Sequence, residues 1–276
     1  MRLSLLGPTG IVGAALVLAV IAVAALGPFF FPDPTAIVGR PFGPPVPGHP
    51  LGFDSTGRDV LTRLMNGGYT VLLLVSGTTA LAYLVGVPIG LFTALRETPA
   101  SGVALWLIDC LLAFPPLLLV LLLAASTDGG ITAAVVAVAA SQVPWVTRLV
   151  RAAASDVATR GYVDSARLRG ESTLAIMGRE LLPNIRATLL ADLGLRLTVS
   201  ILLITSASFL GVGLRPPVAD WGLMAAENRN GLALQPYAVL APAAMIALLT
   251  VGVNLFFDSL PLARARRPIP AVGTTA

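Results

Sequence analysis

Long apolar stretches recur along this chain, and they constrain its fold more than any other feature. They lie at about residues 9–31, 68–95, 101–125, 131–146, 188–210 and 237–260. A helix rises about 1.5 Å per residue, so about 20 apolar residues cross a hydrocarbon layer of about 30 Å. We therefore predict an all-α, polytopic membrane protein with six transmembrane helices.

The composition agrees with this prediction. Of the 276 residues, 56% are hydrophobic and only 12% are charged, and the mean hydropathy is +0.86. A soluble globule of this size would need more polar surface. The single cysteine, Cys110, lies inside an apolar run, which excludes an intramolecular disulfide and indicates a packing role.

The first apolar run has two interpretations. Ala22-Val23-Ala24 resembles the small-residue site of a cleavable signal peptide. However, the run continues to Phe31 and only Arg2 precedes it. We favour an uncleaved membrane anchor, and a cleaved signal peptide remains the alternative.

The arginines predict the orientation in the membrane. All 18 basic residues are arginine. With six spans, both termini and residues 148–186 share one side, which carries twelve arginines, whereas the other side carries five. Basic loops favour the cytoplasm, so both termini are expected there. Because membrane orientation explains where the arginines lie, the positive net charge gives no reason to predict a nucleic acid partner.

Several kinds of chemistry are disfavoured. Because the chain has no lysine, it has no Gly-rich loop followed by Lys-Ser/Thr for nucleotide phosphates. His49 is the only histidine and lies in a Pro- and Gly-rich loop without neighbouring cysteines. We therefore predict a turn or solvent-facing histidine rather than a metal ligand or a catalytic base.

Ionisable residues inside the apolar runs are functional candidates, because charge at membrane depth is costly. Asp192 and Arg196 are spaced i, i+4 and are predicted to pair on one helix face. Asp109 lies about two turns into the third run, and Pro115-Pro116 should kink that helix. An ion- or proton-coupled secondary transporter using Asp109 and Asp192 is one hypothesis, and an intramembrane enzyme is another.

Residues 161–184 form a charged segment between apolar runs, which we name the polar island. Its charged residues are Asp164, Arg167, Arg169, Glu171, Arg179 and Glu180. We predict a short helix, a turn at Gly170, and a return helix over 171–181 that ends at Pro183. Tyr162, Val163 and Ala166 should form an apolar ridge on the short helix. Residues 176–183 should pack under the membrane helices.

The polar island resembles the cytoplasmic "EAA" loop of ATP-binding cassette (ABC) importer permeases. That loop has Glu-Ala-Ala, three residues, Gly, and a later Leu-Pro. Here Asp164, Ser165 and Ala166 take the lead positions, and Gly170 and Leu182-Pro183 follow. Asp for Glu keeps the charge and Ser for Ala keeps the small size.

Further stretches are similar to the second, C-type permease of dipeptide and oligopeptide importers. They are His49-Pro50-Leu51-Gly52, Asp54, Gly57-Arg58-Asp59-Val60-Leu61, Arg63-Leu64, Ile108-Asp109, Phe114-Pro115, the segment Ser208 to Gly213, Pro216-Pro217, Trp221-Gly222, Asn254-Leu255 and Asp258. The departures are Glu180, where a His is more usual, the Asp192/Arg196 pair, and a proline-rich tail.

The resemblance implies a type I ABC importer permease (MetI-like) fold in a bacterial inner membrane. Such a chain is non-catalytic and binds no cofactor. It forms a translocation path for di- or oligopeptides with a paralogous permease, in a heterodimer. Two ATP-binding subunits hold ATP and Mg, and an extracytoplasmic substrate-binding protein delivers the cargo, which in such groups is sometimes a nickel chelate or haem.

The resemblance also assigns regions and residues. We expect an N-terminal helix and external loop over 1–67, a permease core over 68–262 with a coupling loop at about 151–186, and a cytoplasmic tail over 263–276. The expected ATPase-coupling residues are Tyr162, Val163, Asp164, Ser165, Ala166, Arg167, Arg169, Gly170, Glu171 and Ser172.

The path and the docking surface are predicted from residue type. Hydroxyl and amide side chains offer hydrogen bonds to a peptide, although such hydroxyls also bond their own helices. The path candidates are Ser200, Thr205, Ser206, Ser208 and Asn254, and the candidates for docking the binding protein are Trp221 and Asn228.

Overall fold

The computed structural model describes residues 7–96, 98–125, 130–211 and 214–265. Within these ranges the chain is helical and has no β-strand, only three isolated bridges in the first loop. The all-α prediction is confirmed. Arg2, Asp128, Gly129 and most of the predicted tail lie outside the described residues.

Within the described ranges, ten α-helices follow in chain order, with a π-helical and a 3₁₀ segment. They are α1 Pro8–Phe30, α2 Val60–Leu95, α3 Pro99–Leu112, α4 Pro116–Ala125, α5 Ile131–Ala158, α6 Gly161–Leu168, α7 Thr173–Ile176, the π segment Met177–Leu181, α8 Leu182–Phe209, α9 Trp221–Asn228, the 3₁₀ turn Arg229–Gly231 and α10 Tyr237–Ala265.

Five helical segments are long and apolar enough to cross a membrane, and a bent pair supplies a sixth candidate. The five are Pro8–Phe30, Val60–Leu95, Ile131–Ala158, Thr173–Phe209 and Tyr237–Leu260. The helices α3 and α4 are inclined by 96° at the break between them. That break contains Pro115, where the sequence predicted a kink, because proline removes a backbone donor. Six spans result if the bent pair is one span.

Two helices are longer than predicted. The helix α2 begins at Val60 rather than near residue 68, after Asp59 caps it by accepting a hydrogen bond from the Thr62 N–H. It therefore includes Arg63, whose charge suggested a boundary but whose side chain is fully buried in ion pairs. The helix α5 extends beyond its apolar run, which ends at about residue 146, and reaches Ala158.

The prediction of a separate return helix over residues 171–181 is wrong. The segment Thr173–Phe209 is one continuous 37-residue helical segment, in which α7, the π segment and α8 follow one another. Pro183 does not end it. Proline is tolerated here because the π segment changes the hydrogen-bond register just before Pro183.

Small residues set the close approach of the helices. A Cβ added to Gly86 or Gly90 of α2 would lie within 2.9 Å of Val146 or Val150 of α5. Close packing of this kind stabilises helix pairs in membranes, where burial of apolar surface supplies little driving force. The α2–α5 pair thus forms a rigid centre.

One apolar core lies where α2 and α5 end, next to the polar island. It includes Leu95 of α2, Val157 of α5, Val163 and Ala166 of α6, and Leu181 of the π segment. The polar island is therefore seated on the membrane helices by its apolar side chains.

Candidate functional site

The short helix α6 faces the chain's own core with the residues that were expected to face outward. Val163 and Ala166 are both 0% exposed. The prediction of an exposed apolar ridge from Tyr162, Val163 and Ala166 is therefore wrong for the latter two, and Tyr162 alone is exposed. Val163 and Ala166 hold α6 in place rather than contacting a partner.

Two leucines that the sequence reasoning missed are the most exposed apolar side chains of the polar island. Leu168 is 89% exposed and Leu174 is 78% exposed. The sequence could have predicted the exposure of Leu168. At 100° per residue, Leu168 lies about 140° around α6 from the buried Val163, so it points away from the core. Large exposed apolar groups beside charges indicate a contact surface. Buried Ile176, Met177 and Leu181 agree with the prediction for 176–183.

The charged side chains of the polar island pair locally. Arg167 donates from Nη1 to Asp164 Oδ1 at 3.2 Å and from Nη2 to the Leu95 carbonyl. Arg169 donates to Glu171 Oε1 at 2.7 Å. Asp164, Arg167 and Arg169 are exposed, whereas Glu171 is partly buried. The outer face therefore combines apolar side chains with oriented ion pairs.

Gly170 makes the predicted turn. Its φ is +76°, and an added Cβ would meet no atom within 4 Å. The glycine is required by backbone conformation rather than by space. Ser172 then caps α7 by accepting from the Ala175 N–H, and Ser165 Oγ bonds back to the Gly161 carbonyl.

A second charge-rich region lies at the opposite end of α2. We name residues 32–59 and 214–236 the loop cap. Its centre is a buried ion cluster, in which Asp54 Oδ2 accepts from Arg58 Nε and Arg63 Nη1, each at 2.8 Å. Glu227 of α9 accepts from the same two arginines. The cluster ties the first loop to α9, and sequence spacing could not indicate Glu227.

The pKa values of Asp54 and Asp220, two buried carboxyl groups of the loop cap, are shifted in opposite directions. Burial raises the pKa of Asp54, but hydrogen bonds from the Arg58 N–H and Thr56 and the charge of Arg63 outweigh it, so the net shift is downward. Burial raises the pKa of Asp220 to about 6, against a hydrogen bond from the Leu223 N–H. His49 bonds Asp59 Oδ1 through Nδ1 at 2.9 Å.

The two residues predicted to dock a binding protein lie inside the loop cap. Trp221 is 0% exposed and donates from its indole Nε1 to the Leu64 carbonyl at 2.8 Å. Asn228 is also 0% exposed and accepts from the Ser55 N–H at 2.8 Å. Neither is placed to contact another protein. Trp221 instead joins the loop cap to α2, and Asn228 joins α9 to the first loop.

The predicted path residues do not form one surface. Ser200 is 0% exposed and bonds Thr79 and Gln142. Ser208 is 3% exposed, and Asn254 Oδ1 accepts from the Thr198 hydroxyl. Thr205 and Ser206 do line a cavity of about 360 Å³ beside Phe209 and Gly222. The structure therefore places Ser200 and Ser208 in packing rather than on a path.

The two intramembrane carboxylates both face arginines. Asp192 and Arg196 pair at 3.2 Å, as predicted, and the Tyr83 hydroxyl donates to Asp192 at 2.8 Å. Asp109 pairs with Arg148 of α5. Across the part of the chain that the structure describes, no three His, Cys, Asp or Glu side chains come together as a metal site would require.

Apolar spans, an exposed charged helix seated at the end of the spans, and an internally tied loop cap define a multi-pass membrane protein. The family described as "Binding-protein-dependent transport system inner membrane component" matches residues 86–266. The chain belongs to this family.

Relatives and a solved structure agree with the family. A putative peptide transport system permease protein of Brucella suis is 32% identical over 90% of this chain and 84% of its own length. The di/tripeptide transport system permease protein DppC of Pseudomonas aeruginosa is 34% identical over 76% and 69%, respectively. The glutathione transport system permease protein GsiD of Pectobacterium atrosepticum is 31% identical over 78% and 72%.

The fold is similar to a chain of the MetNI methionine ABC transporter, solved in inward-facing conformations. The TM-score is 0.60 at 16% identity, covering 75% of this chain and 97% of that chain. This likeness confirms the expected ABC importer permease fold.

Proposed function

We propose that this chain is the non-catalytic permease subunit of an ATP-driven peptide importer, and that the polar island receives an ATP-binding subunit. The observation that carries the proposal is the exposure of Leu168 and Leu174 on a helix whose opposite face is buried in the chain's own core. An apolar surface of this kind needs a protein partner in a charged, water-facing segment.

The substrate class rests on the relatives. Those named above are a peptide, a di/tripeptide and a glutathione permease, and glutathione is itself a peptide. We infer di- or oligopeptide cargo, delivered by an extracytoplasmic binding protein into a path shared with a paralogous permease. ATP and Mg bind to two partner ATPase subunits. Both termini are cytoplasmic, as the arginine distribution predicts.

The coupling mechanism follows from the continuous helix after Gly170. The residues proposed to contact the ATPase are Tyr162, Asp164, Ser165, Arg167, Arg169, Glu171 and Ser172, together with Leu168 and Leu174. Because Thr173–Phe209 is uninterrupted, a displacement at Leu174 moves the membrane-spanning part of α8. Closure of the ATPase dimer thereby rocks the spans and switches access between the two sides.

The ion-coupled alternative is not carried forward. A proton-coupled carrier needs carboxylates that are free to titrate in the path. Asp109 and Asp192 are instead each paired with an arginine. No relative reported above is a secondary transporter.

The polar island can be tested by charging its apolar surface. The double variant Leu168→Glu/Leu174→Glu should reduce co-purification of the ATP-binding subunits at least about tenfold, because loss of two interface anchors commonly costs more than about 1.4 kcal/mol. Leu234→Glu is the matched control, since Leu234 is 73% exposed in the loop cap.

Tandem affinity purification through a tag on this chain measures the result. The Leu234→Glu variant should retain its ATPase partners at the wild-type level. Wild-type recovery of ATPase with Leu168→Glu/Leu174→Glu would refute the assignment of this surface.

A further inference from the structure

An ion pair inside the apolar part of α8 also reaches across to α2. Asp192 Oδ1 accepts from Nε of Arg196, one turn further along α8, at 3.2 Å. Asp192 Oδ2 accepts from the Tyr83 hydroxyl of α2 at 2.8 Å, and the same hydroxyl lies 3.3 Å from the Leu189 carbonyl. The cluster thus connects two membrane helices through a charged acceptor.

This cluster lies within the apolar runs of both helices. Asp192 belongs to the run 188–210, and Tyr83 belongs to the run 68–95. The Arg196 and Asp192 side chains are only 10% and 8% exposed. Ionisable groups in such positions are costly and are therefore functional candidates. Arg196 offsets part of this cost by pairing with one carboxylate oxygen, which leaves the other oxygen to accept from Tyr83.

The polar contact with α2 is stronger than the polar contact of α8 with α10. Hydrogen bonds to an ionised acceptor are roughly twice as strong as neutral ones. Towards α10, the Thr198 hydroxyl donates to Asn254 Oδ1 at 3.2 Å, which is a longer and neutral bond. Polar side chains attach membrane helices to one another, because burial of apolar surface supplies little driving force in lipid. By its polar contacts, α8 is therefore attached more firmly to α2 than to α10.

A second polar contact extends this attachment to α5. The Ser200 hydroxyl lies 2.8 Å from the Thr79 hydroxyl of α2 and accepts from Gln142 Nε2 of α5 at 2.7 Å. These three residues are at most 3% exposed. Because α2 and α5 already pack closely at Gly86 and Gly90, both polar contacts attach α8 to the rigid centre.

We propose that Tyr83, Asp192 and Arg196 form a joint that fixes α8 to α2, so that the two helices move as one body when the ATPase subunits close. Tyr83 and Arg196 are positioning residues, which hold the Asp192 carboxylate between the helices. The proposal rests on the proposed function, in which α8 carries the displacement received at Leu174. It specifies where that displacement passes to the centre of the permease.

The continuity of α8 explains why a joint is needed. The segment Thr173–Phe209 is one helical segment, so a displacement at its start reaches Asp192 directly. Packed helices are able to slide past one another by small displacements. The bond between Tyr83 and Asp192 opposes this sliding, so a movement of α8 becomes a movement of α2 as well.

The test measures whether α2 and α8 shift against each other during the ATPase cycle. The complete importer carries Thr79→Cys/Ser200→Cys as a reporter, with Cys110→Ser to remove the native thiol. The two native hydroxyls are 2.8 Å apart, so sulfurs at these positions are within reach of a disulfide bond of about 2.05 Å. Copper phenanthroline oxidises the nucleotide-free and the vanadate-trapped complex, and mass spectrometry gives the rate of disulfide formation.

We expect equal rates in the two states when Tyr83 is present, because the joint keeps the two positions together. Tyr83→Phe should lower the rate in the trapped state and should reduce peptide uptake per ATP hydrolysed about fivefold, the usual order for one hydrogen bond between membrane helices. Asp192→Asn/Arg196→Gln removes both charges but keeps an oxygen that accepts from Tyr83, so it should retain equal rates.

Tyr69→Phe is the matched control, since Tyr69 lies on the same helix and is 57% exposed. It should change neither the rates nor the uptake. A lower rate in the trapped state with Tyr83 present, or equal rates in Tyr83→Phe, overturns the joint. So does an effect of Tyr69→Phe as large as that of Tyr83→Phe.

The joint and the peptide function fail separately. Peptide uptake by the wild-type importer is measured in parallel with the disulfide rates, which require no peptide. Rates that depend on Tyr83, in an importer that takes up no peptide, refute only the peptide cargo. Peptide uptake with rates that do not depend on Tyr83 refutes only the joint.

Discussion

The loop cap and the polar island are both rich in charge, but the chain uses the charges in opposite ways. In the loop cap, Asp54 is 0% exposed and accepts a hydrogen bond from Arg63 of the adjoining helix α2, which is also 0% exposed and donates to Glu227. In the polar island, Arg167 and Arg169 are exposed and form ion pairs with neighbours two or three residues away. The first region closes on itself, and the second remains open.

This difference shows which observation indicates a partner surface. Buried ion pairs specify one arrangement of the backbone, and removing a member leaves an uncompensated charge. Exposed ion pairs contribute little to stability. The position of these pairs beside Leu168 and Leu174 is therefore better explained by contact with another protein. Charge in the sequence does not distinguish the two cases, whereas burial does.

The largest expected effect is on the stability of the loop cap. Arg63→Met should lower the free energy of unfolding by about 3–5 kcal/mol, because Asp54 and Glu227 lose a shared buried partner. Thermal unfolding in detergent measures the change. The matched control Arg169→Gln removes an exposed pair and should cost about 0.5 kcal/mol. If both variants lowered the free energy of unfolding by similar amounts, the buried pairs of the loop cap and the exposed pairs of the polar island would not differ in their contribution to stability.

A smaller effect is expected at the turn of the polar island. Gly170→Val should insert into the membrane normally but lower peptide uptake per ATP hydrolysed by about tenfold, because a β-branched residue at φ +76° costs about 1–2 kcal/mol and displaces α7. Uptake and hydrolysis are measured together in proteoliposomes.

Gly170→Asn is the control for this turn, since asparagine adopts the left-handed conformation more readily. It should stay closer to the wild-type ratio of uptake to hydrolysis. Normal coupling in Gly170→Val would contradict the role given to the turn.

The smallest expected effect concerns Asp220. Burial raises its pKa from 3.8 to about 6, so the protonated form contributes stability that is present below about pH 4 and lost as the pH rises through about 6. Asp220→Asn keeps an oxygen to cap α9 and should stabilise the chain by about 1 kcal/mol at pH 7.5.

Thermal unfolding at a series of pH values tests this sign. The advantage of Asp220→Asn over the wild type should shrink as the pH falls from 7.5 towards 4. An advantage that grows towards acid pH would show that the carboxylate is stabilised when charged.

Much of the fold follows from local sequence. The apolar runs identify the membrane helices because crossing a bilayer requires about 20 apolar residues with satisfied backbone groups. Pro115 marks the bend between α3 and α4, and the i, i+4 spacing predicts the Asp192–Arg196 pair. These features depend on residues that are close in the chain.

Errors occurred where distant residues decide burial. Trp221 and Asn228 have the residue types of a docking surface, but contacts with Leu64 and Ser55 place them inside the loop cap. The charge of Arg63 suggested that the second membrane helix starts after it, but ion pairs with Asp54 and Glu227 allow it to be buried within that helix. Partners up to 173 residues away could not be identified from spacing.

The sequence by itself determined the helical membrane class, the turn at Gly170 and the family resemblance, because hydrophobic length, backbone conformation and motif spacing are local properties. The tertiary structure alone decided which side of α6 is exposed and which charges are buried. Those properties depend on contacts between elements far apart in the sequence, of α6 with the end of α2 and of the first loop with α9.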